Sequence, residues 1–238
     1  MKISVLVAYH KPYRMPGDNV YLPFDVRTAT LDHAHWCELA ALHDAWIGKV
    51  AADAEAVGLV HYRRYFRGCG VAEATRDELA AKLDGADVIL PKKRNYWIET
   101  NYSQYVHAHP SDGLDKAREV IAARCSDYLA DFDRVMTRTG GHRFNMFVMR
   151  RKRLDEYCAW LFGILFELEK RIDVSGYSSY DARVFGFVSE RLLDVWVDHE
   201  IRTSGLRVAE MRVLNLESQH WPRKIFSFLL RKFAGRGK

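Results

Sequence analysis

The chain has 238 residues, 48% of them apolar and 28% charged, enough for one large α/β domain with a substantial core and too few for two full-sized ones, so one active site is expected. The formal net charge of +5 belongs to the tail: Arg223, Lys224, Arg231, Lys232, Arg236 and Lys238 follow the last acidic residue, Glu217, and without these six cations +5 becomes −1 over residues 1 to 222. A body with no cationic excess argues against a nucleic-acid-binding domain. The four cysteines form no C-x-x-C pair and read as reduced thiols. There is no signal-peptide pattern and no window near the ~20 apolar residues of a membrane span, so a cytoplasmic location is expected.

In chain order, Ile3 to Ala8 is a continuous apolar run ending at Tyr9-His10-Lys11-Pro12, the pattern of a buried parallel strand that stops at a proline loop. Residues 13 to 31 lack helical periodicity and contain Pro16, Gly17 and Pro23, so a long loop is expected there. Asp32 can cap a single helix with apolar positions at Trp36, Leu39, Ala40, His43, Trp46 and Ile47, stopped by Gly48. Ala56 to Tyr62 is a second buried strand, which suggests a right-handed parallel crossover from the first. A short polar helix over 75–84 and a third strand, Asp87 to Pro91, follow, and that strand ends in Lys92-Lys93-Arg94. One helical pattern covers 111–138, Gly140-Gly141 breaks it, and Phe144 to Met149 reads as a strand beginning with a polar Asn. Apolar stripes over 154–168 and 184–197 form two core helices. From Pro222 onward, Ile225, Phe226, Phe228, Leu229, Leu230 and Phe233 lie opposite most of the cations, the composition of an interfacial helix on an anionic membrane; a helix packed on the domain fits the same pattern.

Three strands therefore end in polar or basic loops, where open α/β sheets bind ligands. The most unusual of these is His61-Tyr62-Arg63-Arg64-Tyr65-Phe66, in which a hydrophobic strand delivers two guanidiniums, an imidazole and three aromatics to one loop. Paired Arg side chains match phosphate oxygens and stabilise the charge on a departing diphosphate. A bare Arg-Arg pair is more often a surface ion-pairing element.

The blocks Trp36 to Leu42, Gly58 to Phe66, Phe144 to Met149, Tyr157 to Phe162 and Arg183 to Leu193 together resemble the family called domain of unknown function 4422, in order from residue 3 to about 215. That family occurs in capsular polysaccharide, exopolysaccharide and O-antigen synthesis proteins, and some relatives are linked to galactofuranosyl transfer. The resemblance implies a GT-A-like α/β fold: a Rossmann-type, mostly parallel sheet flanked by helices in one domain over 1–218, to which the composition of the tail adds the basic amphipathic helix over 219–238. It implies a bacterial hexosyltransferase that takes a nucleotide sugar, UDP being the favoured carrier, to a lipid-linked saccharide acceptor, peripheral on the inner face of the plasma membrane. The alternative is a non-catalytic carbohydrate- or lipid-binding component of a polysaccharide synthesis complex.

Under this resemblance Tyr9, His10, Lys11, His61, Tyr62, Arg63, Arg64 and Lys92 are donor-binding candidates, with stacking for the aromatics and phosphate contact for the cations. Many GT-A enzymes carry an Asp-x-Asp motif where this chain has His61-Tyr62-Arg63-Arg64. The chain is therefore assigned no such motif and no metal, and transfer is expected to be metal-independent, with Arg63 and Arg64 replacing the ion. The histidines show no metal-ligand spacing. Asn145 is expected at an acceptor hydroxyl or at a local turn. Glu190 and then Asp181 are the catalytic carboxylate candidates, Asp181 serving equally as a helix cap. Glu38 is expected to anchor Arg63 or Arg64. Nucleic acid is not an expected partner.

Overall fold

The computed structural model describes residues 1–217; the expected helix over 219–238 lies outside them. The described chain is a mixed α/β domain around one large sheet. Strand β1 (Ile3–Tyr9) pairs in parallel with β2 (Tyr21–Asp25) on one side and β3 (Ala56–His61) on the other. Beyond β3 lie β8 (Phe147–Arg150), antiparallel to it, then β5 (Val88–Pro91) and β9 (Val208–Met211), both running with β3. At its end β3 turns into β4 (Arg64–Phe66), which pairs with β10 (Val213–Asn215). The small pair β6 (Arg94–Asn95) and β7 (Gly140–Gly141) stands apart from the main sheet.

Period-two alternation with both faces apolar explains the three-layer build. Leu6, Ala8, Val57, Leu59, Val88 and Leu90 point into one core. That core is closed by helices α2 (Leu39–Trp46), α5 (Asp112–Arg124), α6 (Leu129–Thr137), α7 (Arg151–Glu169) and α8 (Val184–Ser204). Val5, Val7, Ala56, Val60 and Ile89 point the other way, onto Leu79 and Leu83 of α3 (Arg76–Asp84), whose start carries a Thr75/Glu78 capping box. The helices α1 (His33–Trp36) and α4 (Asn101–Val106) complete the set.

Three expectations are corrected. The 13–31 stretch contains β2, and Pro23, which hides it in the sequence, is tolerated because β2 is the outer strand of its edge. The helix capped by Asp32 breaks after Trp36: Cys37 takes φ 54°, buried against Gly186 of α8 and receiving the Arg183 Nε–H at 3.0 Å, so a tertiary contact overrides helical periodicity. The 111–138 helix breaks at Cys125, which lets Tyr128 stack on His199 of α8 with ring centroids 3.6 Å apart. The expected parallel crossover from β1 to β3 is present.

Candidate functional site

The parallel strands β1 and β3 end side by side, Ala8 opposite His61, and the residues that follow them line a cleft of about 330 Å³. The donor-binding candidates Tyr9, His10, His61, Tyr62 and Arg63 all line it, joined by Glu38 and Arg183. Tyr62 is the hub: His10 meets its ring edge-on at 5.3 Å, the Arg63 guanidinium lies 5.2 Å from its centroid and the Lys11 ammonium 5.4 Å. Tyr9 and Tyr13 extend this aromatic group, with their centroids 4.9 Å apart. The field of the cleft is positive. Burial, and then Arg63, Lys11, Arg183 and His33, hold the His10 imidazole below its ordinary pKa. Arg63 and Lys11 meet Glu217 only at exposed positions, 3.3 and 3.9 Å away, leaving their charge available to a ligand.

Beneath the cleft a buried polar network fixes the strand ends. Glu38, at the start of α2, accepts a hydrogen bond from the Asn145 amide at 2.7 Å and stands 3.7 Å from His61 Nε2. The second Asn145 amide hydrogen goes to the Gly186 carbonyl at 3.0 Å, and its oxygen accepts from the Ser189 hydroxyl at 3.0 Å. His61 Nε2 is 2.8 Å from the Phe144 carbonyl. Phe144 and Asn145 both take positive φ, 81° and 49°, a conformation costly for side-chain-bearing residues and held here by these bonds. Two expectations change as a result. Asn145 is 1% exposed with its amide hydrogens committed inside the protein, so it ties the turn before β8 to α2 and α8 rather than facing a sugar. Glu38 holds Asn145 and neighbours His61 instead of pairing with Arg63 or Arg64.

The other candidates do not join the cleft. Arg64 lies half-buried over the Phe144 ring at 4.3 Å, and Arg94 covers the same ring at 4.5 Å. Burial, then Arg63, pulls the Arg64 pKa down, and Glu190 opposes that shift. Glu190 itself bonds Arg191 Nη1 at 3.0 Å. Asp181 opens a 3₁₀ turn, accepts the Ser178 hydroxyl at 2.9 Å and faces His109 at 3.9 Å. Lys92 lines a separate cleft of about 260 Å³ with Arg94 and Arg143.

Residues 30–201 match the model of a domain of unknown function, DUF4422. The chain belongs to the DUF4422 family. The matched span includes Glu38, the His61 to Arg64 loop, Asn145 and Arg183, so the buried network and most of the cleft lie inside the family domain. A solved apo structure of WbbM, a bifunctional glycosyltransferase, is similar to this DUF4422 chain with a TM-score of 0.81 and 21% identity over 92% of the chain. The chain spans 46% of that WbbM chain. No curated protein matches it.

The DUF4422 chain does contain one Asp-x-Asp tripeptide, Asp131-Phe132-Asp133, correcting the expectation of none. It lies in α6, where Asp131 is fully buried among Arg134, His199 and Arg202, and Asp133 pairs with Arg118. These carboxylates are neutralised by protein cations on a helix that lines neither strand-end cleft and do not fit a metal–diphosphate role. Among the described residues no group of three His, Cys, Asp or Glu side chains is placed to hold a metal ion. Arg183 is a lining residue to which the sequence alone assigned no role. Its signal was its position at the head of the last family-like block.

Proposed function

We propose that this DUF4422 chain is a glycosyltransferase that moves a hexosyl residue, galactosyl or galactofuranosyl being the leading classes, from a UDP-linked sugar to a lipid-linked surface-polysaccharide acceptor. The observation that carries this reading is the aromatic and cationic cleft at the carboxyl ends of β1 and β3, the place where open α/β sheets bind nucleotides. Its likeness to WbbM supports the class by analogy of fold. Tyr9 offers a face for the base, Tyr62 holds Arg63 and Lys11 in place from beneath, and Arg63, Arg183 and Lys11 offer donors for the diphosphate. In the transfer, the acceptor oxygen bonds to the anomeric carbon while the bond from that carbon to the diphosphate oxygen breaks. The hydroxyl proton passes to a carboxylate, for which Glu190 and then Asp181 stand as candidates although neither lines the cleft, and the nucleoside diphosphate leaves with its charge held by Arg63 and Arg183. The expected activity survives EDTA; dependence on added manganese overturns the metal-independent part of the reading.

One observation favours a non-catalytic carbohydrate-binding component: the only carboxylate lining the cleft among the described residues, Glu38, is buried and committed to Asn145. Release of UDP from UDP-sugars without acceptor decides between them. Slow donor hydrolysis supports the enzyme, whereas tight binding with no hydrolysis and no transfer supports the binding component. Attachment to the inner membrane face rests on the basic, aromatic composition of residues 221–238.

A further inference from the structure

The second cleft is more uniformly charged than the first. It lies at the carboxyl ends of β5 and β9, beside the β4–β10 pair, and is lined by Arg67, Lys92, Arg94, Arg143 and Arg212 around Phe144, with no Asp or Glu among the described lining residues. The backbone gathers these cations from distant parts of the chain: the Lys92 N–H bonds the Met211 carbonyl, and the Arg67 N–H bonds the Arg212 carbonyl, both at 2.8 Å. Arg143 is 4% exposed and fixed by Asp194, Asn101 and the Tyr96 hydroxyl, and the Arg94 guanidinium lies over the Phe144 ring at 4.5 Å. Among the described residues Arg67, Lys92 and Arg212 make no ion pair. Arg143 is already paired with Asp194 at 3.3 Å; the other cations gathered around one small concavity repel one another, and the arrangement is relieved when a polyanion sits among them. A fold that only needed surface charge would have no reason to fix two of the five by packing and bonding.

We propose that this cleft binds a second phosphate-bearing group, separate from the donor diphosphate, and takes the phosphate or diphosphate of the acceptor. The first part rests on the cleft alone. The second rests on the glycosyltransferase reading: with the donor diphosphate at the ends of β1 and β3, the acceptor's phosphate is the remaining anion to be held. Phe144 joins the two clefts, lining the second while its carbonyl meets His61 of the first.

The test is calorimetric titration with inorganic pyrophosphate, with and without saturating UDP, on the wild type, on Lys92→Ala/Arg212→Ala, and on Lys152→Ala/Lys170→Ala as a control for diffuse charge. All four substituted side chains are exposed, so folding should survive; a thermal melt checks it. The proposal expects a pyrophosphate site that persists under saturating UDP and weakens at least about tenfold in Lys92→Ala/Arg212→Ala, the scale of lost charge-assisted hydrogen bonds, with UDP affinity and the control unchanged. It is overturned if UDP abolishes all pyrophosphate binding, if Lys92→Ala/Arg212→Ala loses UDP binding instead, or if the control loses as much. Absence of UDP binding with the pyrophosphate site intact would remove the glycosyltransferase reading and leave the anion site standing.

Discussion

His10 shows how the charge of the cleft acts on a single side chain. Burial first, then Arg63, Lys11, Arg183 and His33, hold its pKa below the ordinary histidine value. A bound diphosphate offsets those cations and raises the imidazole pKa again, so binding should take up a proton as pH falls past about 6.5. Titration near pH 6 in buffers of different ionisation enthalpy should show this uptake, and His10→Asn should abolish it; no uptake would mean that the anion sits elsewhere. The folded pKa lies below the unfolded one, so the stabilisation from this group is full above about pH 6.5 and declines as pH falls further. Asn145 allows a sharper separation of roles. Asn145→Ala leaves the buried Glu38 carboxylate without its donor and should cost about 2 kcal/mol in urea denaturation; unchanged stability with a raised acceptor KM would return it to the sugar site. These roles were half-legible. The loop from His61 to Arg63 and the residues Tyr9 and His10 stand out because polar groups follow apolar runs, whereas the partner of Glu38 did not, because hydrogen bonds between positions 107 residues apart leave no local pattern.

At the scale of elements, β3 carries the argument because it is central and delivers the loop. Gly58 sits between β1 and β8, where an added Cβ would meet Val5 Cγ2 and Val148 Cγ2 at 3.0 Å and the Phe147 carbonyl at 3.1 Å. Gly58→Ala should therefore cost about 1–3 kcal/mol by overpacking, a fall of several degrees in Tm measured by scanning calorimetry. A variant as stable as the wild type would mean that β1 and β8 separate more easily than their packing indicates. Strands β1, β3 and β5 and the long helices were legible because each buries a clean apolar period. Strand β2 was not, because Pro23 imitates a loop, and the α1–α2 break was not, because its cause is the Cys37 contact with Arg183 and Gly186 on a helix almost 150 positions away. Burial presses the same Cys37 thiol up to about 12, so it should resist alkylation until the fold opens.

For the whole molecule, a mostly parallel sheet with β8 and β4 running against the rest places two clefts along one edge, divided by the strained turn at Phe144 and Asn145. The fold class was readable from strand and helix order, together with the family-like blocks. The division of the basic residues between two clefts was not, since sequence order places Lys92 among the donor candidates whereas the sheet sets it beside Arg212. Residues 222–238 add a testable membrane contact: removing them should lower sedimentation with anionic vesicles, and equal attachment would refute that role.

The most direct test of the central claim is calorimetric titration of the full chain with UDP, GDP and their sugar conjugates in EDTA, comparing wild type with Arg63→Ala/Arg183→Ala. Saturable binding of one nucleotide class in the wild type, weakened at least about tenfold in the variant, is the predicted result. Binding of no nucleotide, with or without manganese, or equal binding by the variant, would contradict the assignment of the donor to the cleft at the ends of β1 and β3.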